Sequence, residues 1–433
     1  VSFCYNDKMP RLGLFATLRD TTFRSLRHRN YRRYFLGQIV SFIGSWMQSA
    51  ALMWLLYDRT GDPRWPSWVL VAQVGPTVLL GTWGGGLADR LSRRKLIIAT
   101  QSAFLVHATL LTLLIAFNLI PPVLVLVLMA VSGVIQAVDL PARLAFLPDL
   151  VPTEDLINAV GLNSLLFNSA RALGPALAAL LFLVADSVVP LLPAGTSAVT
   201  AGAVACFALN AVSFLAVLIA LLGIVDPAAT LVTRSCPGGT WDGFRYLRER
   251  SALGALVILT LVLCVFGWPL ITILPAYTRT QLGRSEQTFG LLVSAVGLGA
   301  LAASLMVATF ATAARRSAYL VGGPTIAALG LLGVAIADRP EAAALGCAAA
   351  GFGLVLYLST GQSTLQLAVP ADRRGRVLAL WAMTLSASAP IGHLLAGHAV
   401  TLVGVRPVVL AMSAGAAVST GALALLVSRS DLR

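Results

Sequence analysis

Long apolar runs, each closed by a short polar turn, succeed one another along nearly the whole chain. They fall at 35–57, 67–88, 96–117, 121–147, 156–185, 197–225, 252–276, 287–309, 317–337, 341–368, 377–403 and 405–428. A helix needs about 20 residues to cross roughly 30 Å of hydrocarbon, so each run is predicted to be a membrane-spanning helix. Backbone amides find no water inside lipid, so the turns belong where polar residues, Gly and Pro meet the surface. Within 156–225 the separators are Asp186, Pro190, Pro193 and Gly195, which mark an external turn. Twelve helices, an even number, put both termini on one side.

Composition agrees with a life in the bilayer. The 433 residues are 58% hydrophobic and 11% charged, with a mean hydropathy of +0.84. Soluble domains carry about 25% charge. Basic residues outnumber acidic ones by 31 to 18, a formal charge of +13. If the termini share one side, 24 of the 31 lie there and six lie on the other, with Arg171 left inside a run. Lys and Arg collect in cytoplasmic loops, so both termini are assigned to the cytoplasm. The basic excess then reads as attraction to an anionic leaflet, not to nucleic acid. Five scattered cysteines, with no CxxC pair, imply neither disulfides nor a metal.

The pattern divides the chain into a basic N-terminal segment (1–34), a first six-helix bundle (35–225), a linker (226–251), a second bundle (252–428) and a tail (429–433). The N-terminal segment fits either a solvated basic tail or a surface helix with Phe15, Leu18 and Phe23 in the interface. In the linker, WDGFRYLRER is predicted to be a short amphipathic helix anchored by Trp241, Phe244 and Tyr246. The halves echo each other. Val151-Pro152 and Val369-Pro370 are 218 residues apart, Arg93-Arg94 and Arg315-Arg316 are 222 apart, and Gly174-Pro175 answers to Pro390 and Gly392. Such an offset implies two parallel repeats related by an axis along the membrane normal. The predicted fold is therefore an all-α polytopic membrane protein of 12 transmembrane helices in two pseudo-twofold-related bundles.

One turn stands out. GGGLADRLSRRKL at 84–96 is the cytoplasmic turn between the second and third runs. Its glycines are expected to end the second helix, and Arg90, Arg93, Arg94 and Lys95 anchor the turn inside. A lone acid beside them, Asp89, suits a latch to an arginine or a helix N-terminus of the other bundle. The stretch resembles the signature loop of the major facilitator superfamily, with Gly85, Leu87, Asp89, Arg90, Arg93 and Arg94 filling the pattern and Ser92 where glycine is usual. The second-half counterpart, ATFATAARRS, keeps only Arg315 and Arg316, so the latch is expected to be asymmetric. FRSLRHRNYRRYFLGQIVSFIGSWMQSA, VDLPARLAFLPDLVPTEDLINAVGLNS and VPADRRGRVLALW are similar to the drug and siderophore exporter branch, which includes the enterobactin exporter and the macrolide efflux proteins. SARALGPALAAL is similar to the antiporter motif of the fifth helix, with Ala170, Ala178 and Ala179 where that motif favours glycine.

Charges within spans are costly and line cavities or pair with each other. Asp139 and Arg143, four apart, fit a mutually neutralising pair or a proton-responsive one. Arg171 fits a partner acid, Asp139 or Asp149, or an anionic group of a substrate. His393 and His398 lie five apart and face different ways; His393, beside Pro390 and Gly392, fits a proton-coupling role or a satisfied hydrogen bond. Trp46, Gln48, Gln136, Asn163, Trp268, Gln362 and Trp381 are candidates for a cavity lined by aromatics and amides. In the superfamily the first, fourth, seventh and tenth helices commonly line it. Such a lining suits a large apolar or amphipathic solute.

The resemblance implies a secondary transporter of the bacterial cytoplasmic membrane, working by alternating access and exporting a drug-like or siderophore-like compound against protons. A lysophospholipid transporter or flippase of the same superfamily is the alternative, and a non-transporting membrane sensor is the remaining class. No GxxxxGK[ST] loop is present, so ATP is not the direct drive. No cofactor is expected, and the partners expected are a small molecule, protons and lipid, with the chain acting as a monomer. Enzyme and channel readings are disfavoured. No Ser/His/Asp or metal-spaced cluster and no ring of charge is seen in the short loops.

Overall fold

The structure, a computed structural model, describes residues 23–191, 196–224, 240–310 and 315–429. Phe15, Leu18, Pro193, Gly195, Cys4, Cys236 and the side chains of Asp89 and Trp241 lie outside the described residues. The helices are α1 (Arg29–Thr60), α2 (Arg64–Arg90), α3 (Arg93–Ala116), α4 (Pro122–Leu150), α5 (Leu156–Val188), α6 (Ala198–Leu222), α7 (Thr240–Glu249), α8 (Ser251–Gly267), α9 (Leu270–Thr280), α10 (Glu286–Phe310), α11 (Arg316–Ile336), α12 (Pro340–Ala368), α13 (Ala371–Val403) and α14 (Val405–Arg429). Single 3₁₀ turns stand at Arg24–Arg27, Thr153–Asp155 and Val189–Leu191.

Among the described residues, 11 segments are long and apolar enough to cross a membrane, α8 and α9 counting as one, Ser251–Thr280. The 27-residue α2 is not among them, although it is long enough. Large apolar side chains such as Ile219, Leu222, Leu345 and Leu402 stand exposed on the outer faces, where only lipid covers such a surface. The protein is thus all-α and multi-pass.

Three expectations need correction. α1 begins at Arg29, and the turn before it is docked rather than solvated. Ser25 Oγ donates to Asn158 Oδ1 at 2.7 Å, Arg24 and His28 each lie 2.7 Å from the Asp155 carboxylate, and Tyr31 Oη donates to the Ala159 carbonyl. The glycines at 84–86 do not end α2, which continues through Arg90; Leu91 leaves the helix in extended conformation. Tyr246 is not a surface anchor: α7 leans on α13, Tyr246 is buried, and the Arg373 guanidinium lies 5.1 Å over its ring. Phe244 is exposed as expected.

Helix pairing repeats from one half of the chain to the other. In the first, α1 packs on α5 and α6, α2 on α4, and α3 on α4 and α6. In the second, α8 packs on α13 and α14, α10 on α12, and α11 on α12 and α14. The two crossings built on small residues correspond. Gly84 meets the Ala137 carbonyl and Gly133 the Gln73 carbonyl between α2 and α4; Gly299 meets that of Ala348 and Gly351 that of Val296 between α10 and α12. Backbone-to-backbone approach of this kind leaves no space for a Cβ. The halves meet as α5 on α10 and α2 on α13, again a symmetric exchange.

Candidate functional site

The α1–α2 turn is closed by Gly61, whose φ of +65° is left-handed and whose N–H bonds the Tyr57 carbonyl. At this end the halves are joined. Arg279 of α9 lies 3.2 Å from Asp58 of α1, and Trp54 stacks on Phe289 with 5.4 Å between centroids. Gln287 donates to Asp186 at 2.6 Å, and Trp68 meets His398 edge to face. Gly290 abuts Ala179 and the Pro175 carbonyl, and Gly297 abuts Ala172 and the Arg171 carbonyl. Toward the opposite end, where Arg90–Arg94 lie, one face of α2 is exposed while the other packs on α4. Leu79 and Trp83 are 79% and 60% exposed, and Gly75, Gly81 and Gly85 face open space.

Two parallel stripes run from the side of that basic end to mid-span. Gln38, Phe42 and Trp46 are spaced by four on α1, as are Asn163, Phe167 and Arg171 on α5, so each set shares a helix face about 12 Å long. Phe167 meets both Phe42 and Trp46 edge to face at 5.9 and 5.8 Å. Arg143 lies 5.2 Å over Phe42, and Arg171 lies 5.8 Å over Trp46 and 5.2 Å over Trp268. The result is a ladder of cations and rings that crosses from the first half to the second at Trp268. Trp268 stands where Pro269 interrupts the seventh segment between α8 and α9. Phe42 and Phe167 were absent from the sequence candidates, although their four-residue spacing to Trp46 and Arg171 announces the shared face.

Arg171 is 5% exposed. Its Nε has no hydrogen-bond partner, and its Nη groups make no ion pair among the described residues. Asp139 and Asp149, its two expected acids, are engaged elsewhere. Asp139, 1% exposed, accepts from Thr100 Oγ1 at 2.6 Å and Gln101 Nε2 at 2.9 Å, and its Oδ2 lies 2.5 Å from Arg143 Nε. Arg143 also donates to Gln38 Oε1. This cluster ties α1, α3 and α4 together. Asp149 takes Arg93 Nη1 at 2.8 and 2.9 Å, while Arg94 donates to the Leu221 and Leu222 carbonyls at the C-terminus of α6. Arg93 and Arg94 are therefore held within their own half, and Arg90 is exposed.

Other candidates divide. Gln136 and Asn163 are half-buried and Gln362 is exposed. Gln48 is buried instead against α6, accepting from Asn210 Nδ2 at 2.6 Å. Trp381 packs over Gly361 between α12 and α13. His393 Nδ1 is 3.0 Å from Thr272 Oγ1, inside the second half, while His398 faces α2, so the two histidines do point apart. Among the described residues no group of His, Cys, Asp or Glu is placed to hold a metal.

The sequence profile of the transmembrane secretion effectors, a family of the major facilitator superfamily, matches residues 20–432. The chain belongs to this family. It is a family of transporters rather than enzymes, so this major facilitator is a secondary transporter that moves small molecules across a membrane. It is similar to the staphyloferrin A transporter of Staphylococcus aureus, 26% identical over 284 residues, which cover 63% of this chain and 66% of that one. It is similar to macrolide efflux protein A of Streptococcus pyogenes, 23% identical over 387 residues, covering 86% and 89%. Among solved structures, it matches a bacterial homologue of the human lysosomal transporter Spinster in an inward-facing, occupied conformation. That match has a TM-score of 0.71 and 14% identity and covers 93% of this chain and 97% of the other.

Proposed function

We propose that this facilitator is an exporter of hydrophobic or amphipathic small molecules, driven by a proton gradient, with 12 spans in two six-helix bundles that rock about a central cavity. The observation that carries the proposal is the ladder from Phe42 to Trp268: rings and cations in contact from the first half to the second, with the halves joined beyond it at the Gly61 end. Aromatic faces with few charges accept an apolar body of variable shape. With the basic end assigned to the cytoplasm, the arrangement is inward-open, which suits loading of an export substrate. The name of macrolide efflux protein A, 23% identical, supports the branch and the direction of transport.

Proton coupling is assigned to the Asp139–Arg143 pair and, secondarily, to His393. A proton on the Asp139 carboxylate would release Arg143 and with it the Gln38 contact to α1, so protonation is linked to a helix that lines the path. The test is efflux of a loaded amphipathic dye from proteoliposomes with and without a pH gradient. Collapse of the gradient is expected to reduce the rate by about tenfold or more, and unchanged rates would rule out proton drive.

Asp89 is proposed as the latch of the inner side once the halves close there. Asp89→Asn is expected to slow cycling while leaving insertion and solute binding intact. Transport at the parental rate would remove the assignment.

A further inference from the structure

The geometry points to Arg171 as an oxyanion-binding residue at the head of the cavity, and to an amphipathic oxyanion as the solute that is carried. This rests on the reading of the protein as an exporter of amphipathic molecules, and narrows it. A charged group at mid-span is expensive, by about 2.5–3.5 kcal/mol on insertion scales and more in simulation, unless it is paired. Arg171 is buried at that depth with an unbonded Nε. The acids of the neighbouring spans are engaged elsewhere: Asp139 by Arg143, Thr100 and Gln101, Asp149 by Arg93, Asp58 by Arg279 and Asp186 by Gln287. Glu286 lies at the outer end of α10, eleven residues from the Gly297 that touches the Arg171 backbone, about 16 Å along the helix.

The two tryptophans stabilise the cation through their π faces but accept none of its N–H groups in the manner of a carboxylate. A guanidinium keeps its charge and offers a planar fork of donors, which matches a carboxylate, phosphate or sulfonate in two parallel bonds. Beside it, Ile271, Val296, Leu331 and Leu354 line a small apolar pocket with room for a water-sized guest, about 20 Å³. That space holds about one water beside the guanidinium and excludes the body of a solute. The body is left to the ring-lined stripe of Phe42, Trp46 and Phe167, so the site sorts solutes by an anionic head on an aromatic or aliphatic body.

The experiment uses the full chain in phosphatidylcholine nanodiscs with pyrenebutyrate and its neutral alcohol, pyrenebutanol, binding being read by energy transfer from tryptophan. The parent is expected to prefer pyrenebutyrate by about 30-fold, the worth of a charge-assisted bidentate contact. Arg171→Gln should erase that preference while pyrenebutanol still binds. Arg171→Lys, which keeps the charge and loses the fork, should retain a preference of about fivefold. Equal affinities in the parent, or a preference that survives in Arg171→Gln, would overturn the site while leaving amphiphile export in place. A parent that binds neither probe would overturn both. A last arm adds phosphatidylglycerol to the disc: weaker pyrenebutyrate binding would identify a lipid phosphate as the oxyanion taken by Arg171, and unchanged binding would leave the site to the solute. If Arg171→Gln does not fold, the parental preference and its reduction in Arg171→Lys decide alone.

Discussion

Arg143→Ala is expected to destabilise the protein by about 3–5 kcal/mol, the range for removing one partner of a buried ion pair. The loss should appear as a large fall in the thermal unfolding midpoint in detergent. Asp139 is 1% exposed and shares its carboxylate among Arg143, Thr100 and Gln101. Without Arg143 the buried carboxylate is left with two neutral donors, and Gln38 on α1 loses its guanidinium contact. The joint between α1, α3 and α4 is thereby cut at its centre. Two companions separate charge from shape. Asp139→Asn keeps both neutral hydrogen bonds within reach, and the double variant Asp139→Asn/Arg143→Gln leaves no lone charge in the bundle, so it should recover most of the loss. Arg143→Ala melting with the parent would show that the pair holds nothing together.

Spans and their order were legible because a bilayer allows few ways to satisfy a backbone. The Val-Pro and Arg-Arg landmarks recur in step with a helix pairing that repeats, α2 on α4 and α10 on α12 above all. Side-chain direction was harder. Gln48 and Trp46 are two residues apart on α1 and were ranked together, yet a helix turns about 200° between such positions, so one faces α6 and the other the path. Phe42 and Phe167 were not among the candidates, because a phenyl ring carries no polar mark; the contact of their two faces emerges only once α1 is known to lie against α5. Arg93 and Asp149 are 56 residues apart, and nothing local announces that they pair. The break at Pro269 was not anticipated within the seventh run, although proline there removes a helix hydrogen bond.

Gly297→Val is expected to abolish transport while sparing the fold. Gly297 sits in the seam between α10 and α5, where a Cβ would lie 2.6 Å from Ala172 Cα and 2.7 Å from both Ala172 N and the Arg171 carbonyl. All three neighbours are backbone, so none can swing aside, and the helices must part. Overpacking costs about 1–3 kcal/mol, which falls here on the state whose outer side is closed, since α5 on α10 is a contact between halves rather than within one. A bias of that size displaces the equilibrium between states by about 5- to 150-fold. Spin labels at Ser187 and Arg284, at the outer ends of α5 and of the α9–α10 turn, should move apart in distance measurements, and efflux should fall with them. Gly297→Ala asks for a smaller displacement and should give an intermediate loss. Gly161→Ala, on the same α5 but facing open space, should leave transport unchanged and add a little helix stability. The graded series decides the matter, because a valine that kept both the label distances and the efflux rate of the parent would mean that the α5–α10 seam is not the surface on which the two halves close.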